Sequence, residues 1–205
     1  MLHLANADAL AWTGALIAAL FVGLGLAVVR LRGRRRRSLA AAQARFGGTA
    51  VPEVEDDATT ATLTFEAEGL GPARLECSLG GEGSAAYSRL EVDVTSPVEL
   101  TVEARGLLGG AGDPLGDDAF DGRFRVTSAP PGRGRELLGT EARAALLALH
   151  DLGAGLVSKG VRLVVGPRRS TVVVPRDLLD AKPPVVVELL ERSLELLRCV
   201  RRATG

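Results

Sequence analysis

The residues best suited to chemistry lie in the middle of the chain, where four aspartates follow a glycine-rich segment: Asp113, Asp117, Asp118 and Asp121. Carboxylate oxygens are the ligands that Ca²⁺ and Mg²⁺ prefer, but this cluster lacks the ordered spacing of a calcium loop. The sequence therefore favours a solvated acidic loop, and it leaves open whether residues 113–121 bind a cation. The preceding glycines are followed by no Gly-Lys-Ser/Thr and lead to a predicted strand, so a phosphate loop is not expected.

The histidines and cysteines form no catalytic or metal-binding set. His150 precedes Asp151 at the end of a predicted helix, where a histidine complements the helix dipole. Cys77 and Cys199 are far apart and form no Cys-x-x-Cys, so we expect two free, buried thiols. No motif typical of serine hydrolases, β-lactamases or zinc peptidases occurs. The sequence thus predicts no catalytic residue, no metal site and no cofactor, and it favours a protein that is not an enzyme.

An apolar segment near the N-terminus determines where the rest of the chain lies relative to a membrane. Residues 9–29 hold no charged side chain over 21 residues. A helix of that length spans about 31 Å, close to the thickness of a bilayer's hydrocarbon core. Six arginines follow at once: Arg30, Arg32, Arg34, Arg35, Arg36 and Arg37. Because no Lys or Arg precedes the run and arginines stand where a cleavage site would lie, the pattern predicts an uncleaved anchor rather than a signal peptide.

The arginine cluster gives the anchor a direction and a predicted partner. Segments rich in Lys and Arg stay on the cytoplasmic side, so we expect the N-terminus outside and the C-terminal domain in the cytoplasm. The excess of 23 arginines over two lysines is typical of a high-GC bacterial genome, which places the chain in a bacterial inner (cytoplasmic) membrane. Trp12 is the predicted interface anchor at the outer end. We expect the arginine cluster to set the topology and to contact anionic lipid headgroups.

Charge excludes nucleic acid as a partner of the soluble part. Residues 38–205 contain 19 basic and 24 acidic side chains, a net charge of −5. A nucleic-acid binder requires a basic face. The partners predicted from the sequence are therefore the lipid bilayer and an unknown protein.

The sequence divides into an outer tail (1–8), a transmembrane helix (9–29), an Arg-rich juxtamembrane segment with an acidic linker (30–60) and a cytoplasmic domain (61–205). Residues 38–46 are helix-prone and extend the membrane helix until Gly47 and Gly48. Alternation of apolar and polar residues predicts strands at 61–66, 73–79, 88–94, 97–105, 120–126, 157–165 and 171–174. We read the first four as an antiparallel meander. Helices are predicted at 141–151 and 185–202, so the fold class is α+β with a mainly antiparallel sheet and two helices.

Residues 112–166 resemble the conserved core of the bacterial membrane-anchored proteins grouped as DUF3137, a domain of unknown function. The resemblance is carried by Phe120-Asp-Gly-Arg-Phe-Arg-Val126, by Leu137-Leu138, and by a helix that opens with Thr140-Glu141 and leads to an apolar strand. It covers about a quarter of the chain. It implies a shared packing pattern and no chemistry, and many members have two membrane helices where this chain has one.

These observations predict a single-pass membrane protein whose cytoplasmic α+β domain serves protein interaction or sensing at the membrane. One alternative is an inner-membrane assembly subunit that pairs through its transmembrane helix, in which Gly14, Gly23 and Gly25 are small residues that permit close approach. The other alternative is an enzyme with an unrecognised site.

Overall fold

The computed structural model describes residues 2–51, 60–80, 85–105, 112–154 and 160–204. It has the predicted α+β fold, with one long apolar N-terminal helix and an antiparallel sheet. The helices are α1 (Leu2–Phe46), α2 (Asp118–Asp121), α3 (Gly134–Leu137), α4 (Thr140–Ala154) and α5 (Pro183–Thr204), with a 3-10 helix at Leu178–Asp180. The strands are β1 (Thr49–Val51), β2 (Thr60–Ala67), β3 (Gly71–Ser78), β4 (Tyr87–Val92), β5 (Glu99–Ala104), β6 (Phe124–Ala129), β7 (Arg162–Val165) and β8 (Ser170–Val174).

The eight strands form one sheet in the order β1-β2-β3-β4-β8-β7-β5-β6, and every neighbouring pair is antiparallel. Strands β2, β3 and β4 form a meander, but β4 then pairs with β8, and β5 lies between β6 and β7. The predicted four-stranded meander is therefore wrong in its last member. Alternation of apolar and polar residues shows which face of a strand is buried, but it does not show which strand pairs with it.

In the described residues, the helices cover one face of the sheet. The C-terminal part of α1 and helix α4 both pack against α5, and apolar side chains from the strands are buried beneath this layer. They include Leu63, Leu75, Leu90, Val102, Val126, Leu163 and Val172. The opposite face carries the charged and polar residues of the same strands, which are exposed or half-buried. Burial of the apolar set drives this one-sided layering.

The helices predicted at 141–151 and 185–202 are present as α4 and α5 with slightly wider bounds. The predicted strand at 120–126 is wrong in its first half, because Phe120 belongs to α2. The Asp117 carboxylate accepts a hydrogen bond from the Phe120 backbone N–H at 3.1 Å and caps this helical turn. Such a local side-chain bond competes with extended structure. Phe120 is nevertheless fully buried and stacks on Phe124, the first residue of β6, at 4.8 Å between ring centroids.

Two consecutive glycines turn the chain from α1 into the sheet. Gly47 (φ +74°) donates its N–H to the Gln43 carbonyl at 2.7 Å and ends the helix. Gly48 (φ +87°) passes so close to β2 that a Cβ on it would lie 2.0 Å from the Thr64 carbonyl oxygen. Residues 49–51, which fall in the predicted linker, then form edge strand β1 against β2.

Candidate functional site

Helix α1 has an exposed apolar part and a part that packs on the domain. Every side chain from Leu16 to Arg32 is exposed, including large apolar ones such as Phe21 and Val29. By length and composition this helix can cross a membrane: its apolar window has a mean hydropathy of 1.9 and is not buried. These properties indicate membrane anchoring, as predicted. The side chain of Trp12 lies outside the described residues.

From Arg35 onward, one face of α1 is built into the domain. Arg35, Ser38, Leu39 and Ala42 are all buried, at the i, i+3, i+4, i+7 spacing of one helix face. The Arg35 guanidinium forms an ion pair with the Asp177 carboxylate, and the two side chains are only 3% and 1% exposed. The Ser38 hydroxyl donates to the Ala181 carbonyl at 2.9 Å. We call this buried contact of Arg35 and Ser38 with residues 177–181 the anchor junction.

Aromatic and charged contacts extend the anchor junction along α1. The rings of Phe46 and Phe65 lie 5.2 Å apart, and Arg45 pairs with Glu191 of α5 at 2.7 Å. The membrane helix and the domain are therefore joined over the last three turns of α1.

A buried polar chain connects the anchor junction to the middle of the sheet. The Leu178 N–H donates to the Ser88 hydroxyl at 2.8 Å, and that hydroxyl donates to the Cys77 sulfur at 3.2 Å. Burial raises the pKa of the Cys77 thiol to about 11, although the Ser88 hydrogen bond and the nearby Arg35 charge act in the opposite direction. Cys77 is therefore a neutral, buried thiol at neutral pH, as the sequence led us to expect, and not a nucleophile.

Five of the six clustered arginines are exposed on the surface, and one is buried. Arg30, Arg32, Arg34, Arg36 and Arg37 are exposed, whereas Arg35 is buried in the anchor junction. Sequence reasoning missed this role of Arg35, because its partner Asp177 is distant in sequence. The signal that could have found it was the spacing of Arg35 with Ser38, Leu39 and Ala42, which marks a buried helix face within a charged segment.

The anchor junction lies close to the end of the apolar run. Arg35 follows Val29 by six residues, which corresponds to about 9 Å along a helix. Because Arg35 is already buried in the domain, the folded domain begins within about 9 Å of the last apolar residue.

The uncovered face of the sheet carries an ordered group of charges around Glu76. Tyr87 donates its hydroxyl to Glu76 Oε1 at 2.6 Å, Arg89 donates to the same oxygen at 3.1 Å, and Arg74 lies 3.3 Å from the other oxygen. The Arg89 guanidinium also lies 5.8 Å from the Tyr87 ring centre. Burial raises the pKa of Glu76, but the Tyr87 hydrogen bond and the two guanidiniums outweigh it, so the pKa is below its usual value. We call Arg74, Glu76, Tyr87 and Arg89 the open-face cluster.

Three of the four central aspartates, Asp113, Asp117 and Asp121, accept hydrogen bonds from backbone N–H groups of their own region. The Asp121 carboxylate accepts the N–H groups of Leu115, Gly116 and Asp117 at 2.9–3.2 Å. Burial acts to raise the pKa of Asp121, but these three donors outweigh it and the pKa is lowered. Asp113 likewise accepts from the Ser128 hydroxyl and from the N–H groups of Ser128 and Gly132.

The remaining candidate groups also have structural partners. Asp117 pairs with Arg143 at 2.9 Å, and the His150 ring meets the Phe124 ring edge-on at 5.2 Å between centroids. Within the described ranges, no group of three or more His, Cys, Asp or Glu side chains is arranged to hold a metal ion.

The chain matches no protein-family model and no curated protein. Among solved structures it is similar to the mycobacterial trehalose monomycolate transport factor A, TtfA, with a TM-score of 0.50. The two chains are 15% identical, and the match covers 82% of this chain and 96% of that one. At this identity the similarity shows a shared fold. The similarity to TtfA does not test the resemblance to DUF3137, which stays a prediction.

Proposed function

We propose that this protein is a single-pass membrane accessory factor whose domain binds a protein partner at the membrane surface. The observation that carries the proposal is the anchor junction, in which Arg35 and Ser38 fasten the domain beside the end of the apolar run. A domain held rigidly beside the membrane helix is already positioned to bind membrane-embedded partners. TtfA is by name a transport factor, and we extend the general role of a factor that assists transport to this chain.

The open-face cluster is the surface that we propose for partner binding. Tyr and Arg are enriched among the residues that dominate protein interfaces. Here Tyr87, the single tyrosine of the chain, and Arg89 are held in place by Glu76. Tyr87 starts β4, next to Ser88, which bonds Leu178 beside the anchor junction. The partner surface expected here is polar and charged, because the cluster offers both guanidinium and carboxylate groups.

The proposal places the domain in the cytoplasm and the anchor in a bacterial inner membrane, because the arginines follow the apolar run. A binding role is favoured over catalysis because Cys77, Asp113, Asp121 and His150 are engaged in packing or in hydrogen bonds within the domain. An enzyme with an unrecognised site is the alternative. Turnover by the purified full-length chain in a broad hydrolase panel would favour that alternative.

Site-specific photo-cross-linking of the full-length chain in cells of its source organism tests the proposed surface. A photoreactive residue replaces Thr64, which is exposed on the open face, or Ala148, which is exposed on the helical side. We expect one partner to be captured from Thr64 and to be lost when Tyr87→Ala or Arg89→Ala is added. Arg135→Ala, at an exposed position on α3, is the matched control and keeps the cross-link. Capture from Ala148 alone would contradict the proposed surface.

Lateral pairing of the membrane helix is the second candidate function. Its support is the open space around Gly23 and Gly25, where an added Cβ would meet nothing within 4 Å. Small residues permit the close helix contacts on which membrane helices rely for association. If α1 assembles with other helices, Gly23→Leu and Gly25→Leu abolish the complex, whereas an open-face partner survives these changes.

A further inference from the structure

The five exposed arginines surround α1 on the sides that the domain leaves free. We call Arg30, Arg32, Arg34, Arg36 and Arg37 the basic collar. At 3.6 residues per turn, Arg30, Arg34 and Arg37 share one side of the helix. Arg32 and Arg36 share another side, and Arg35 points between the two groups into the domain. Within the described parts of the chain, no collar arginine forms an ion pair with a carboxylate.

The collar lies at the depth of the lipid headgroups. Counted from Val29 at about 1.5 Å per residue, Arg30 to Arg34 fall within about 8 Å and Arg37 falls at about 12 Å. The headgroup layer on each side of a bilayer is about 5–8 Å thick, and a long arginine side chain extends its reach. All five guanidiniums can therefore meet lipid phosphates.

The anchor junction adds a residue of the domain to this basic surface. Lys182 is exposed and directly follows Ala181, whose carbonyl accepts the Ser38 hydroxyl. Because Arg35 and Ser38 are buried against residues 177–181, Lys182 has a fixed position beside α1 just below the collar. The nearest acidic residues in sequence are Asp180, which is half-buried, and Asp177, which is buried and paired with Arg35.

We propose that the basic collar and Lys182 form a docking surface for the phosphate groups of anionic phospholipids, which seats the domain on the bilayer in one orientation. The inference uses only the apolar span and the anchor junction, so it does not depend on any protein partner. Five guanidiniums at headgroup depth, with one amine just below them, complement the negative charge of an anionic bilayer. Guanidinium groups bind phosphate through two parallel hydrogen bonds, which a zwitterionic headgroup satisfies less well because its own cation competes.

Arginine modification by phenylglyoxal, read by mass spectrometry, tests this docking. The full-length chain is compared in neutral maltoside micelles, in phosphatidylcholine nanodiscs and in nanodiscs that contain phosphatidylglycerol. We expect modification of the collar to be about fivefold slower with phosphatidylglycerol than with phosphatidylcholine, as expected for roughly 1 kcal/mol of local binding per residue. Arg168 is the internal control. It is exposed in the turn between β7 and β8, at the opposite end of β8 from Asp177, and its rate stays unchanged.

Each other outcome overturns the proposal. Equal collar rates in the two lipids would mean that the arginines lie at headgroup depth without binding anionic lipid. Slow modification already in micelles would mean that the chain itself covers the collar. In native mass spectrometry, Arg30→Gln/Arg34→Gln/Arg37→Gln is expected to lose retained phosphatidylglycerol. The control variant Arg168→Gln/Arg169→Gln, which changes two exposed arginines far from the collar in sequence, is expected to retain it. Equal retention by the two variants would count against docking.

Discussion

Asp177 obtains its ion-pair partner from the membrane helix, because the guanidinium that contacts its buried carboxylate belongs to Arg35. Two buried charges in contact compensate each other, and each depends on the other for that compensation. The pair therefore makes the folded domain depend on the helix that anchors it.

Removing one member of this pair is expected to destabilise the domain strongly. Arg35→Ala removes the guanidinium from the buried Asp177 carboxylate, and Asp177→Ala removes that carboxylate from the buried guanidinium. Breaking a buried ion pair by removing one member costs about 3–5 kcal/mol of unfolding free energy. Arg35→Met/Asp177→Leu removes both charges and is expected to lose much less than the sum of the single changes. Unfolding of the full chain in mild detergent, followed by circular dichroism, measures these values. Arg36→Ala, at an exposed neighbouring position, should stay within about 0.5 kcal/mol; single-variant losses that small at Arg35 would contradict a buried pair.

The two glycines after α1 are expected to respond differently to the same substitution. Both have positive φ, but only Gly48 has a neighbour in the way: an added Cβ meets Thr64 at 2.0 Å, while Gly47 has nothing within 4 Å. Gly47→Ala should cost about 1–2 kcal/mol from backbone conformation alone. Gly48→Ala adds a clash with β2 and should cost more than Gly47→Ala, with loss of hydrogen-exchange protection in β1. Equal thermal stability of the two variants would show that the chain does not approach Thr64 in this way.

The buried Cys77 thiol is expected to make the domain less stable in alkaline solution. Its pKa is about 11 when folded and 9.0 when unperturbed. Between these values the unfolded chain loses a proton that the folded chain keeps, so stability is fully present below pH 9 and falls as the pH rises toward 11. The expected loss is about 2–3 kcal/mol. Cys77→Ala removes this component, so the difference between the two pH profiles isolates it; parallel profiles from pH 9 to 11 would refute the assignment.

Divalent cations are expected not to stabilise the segment around the four aspartates. The Asp121 carboxylate is already engaged by three backbone N–H groups, and Asp113 by Ser128 and Gly132. Asp121→Ala should cost about 1–3 kcal/mol, because it leaves those donors without their acceptor. Asp118→Ala, at an exposed position, is the control. The melting temperature is compared with and without Ca²⁺ or Mg²⁺, and an increase that Asp121→Ala abolishes would instead indicate a cation site.

The parts of the fold that follow local rules could be read from the sequence. The apolar run, the amphipathic stripe of Val186, Leu190, Leu194 and Leu197, and the alternation in β2, β3 and β4 each report burial on one face. Pairings between distant segments could not be read in the same way. The insertion of β8 and β7 between β4 and β5 depends on which surfaces pack best in the whole domain, and no local period records that choice.

The candidate site also combines features that the local sequence shows with contacts between distant segments that it does not show. The arginine cluster stood out because of its composition, but composition cannot separate Arg35 from the neighbouring arginines. Its burial depends on Asp177, which is distant in sequence and has no distinctive motif around it. The open-face cluster was likewise hidden, because contact between Glu76, Tyr87 and Arg89 requires the register of β3 against β4.

Helix α1 runs without a break from the apolar run to the anchor junction. It therefore sets the rotation of the domain about the helix axis as well as its distance from the apolar run. One residue inserted between Val29 and Arg35 would turn the domain by about 100° and lift it by about 1.5 Å. Seven inserted residues would return the domain to within about 20° of its original orientation and would move it about 10 Å farther from the apolar run. The number of residues between the apolar run and Arg35 thus sets both the direction in which the domain faces and its distance from the end of that run.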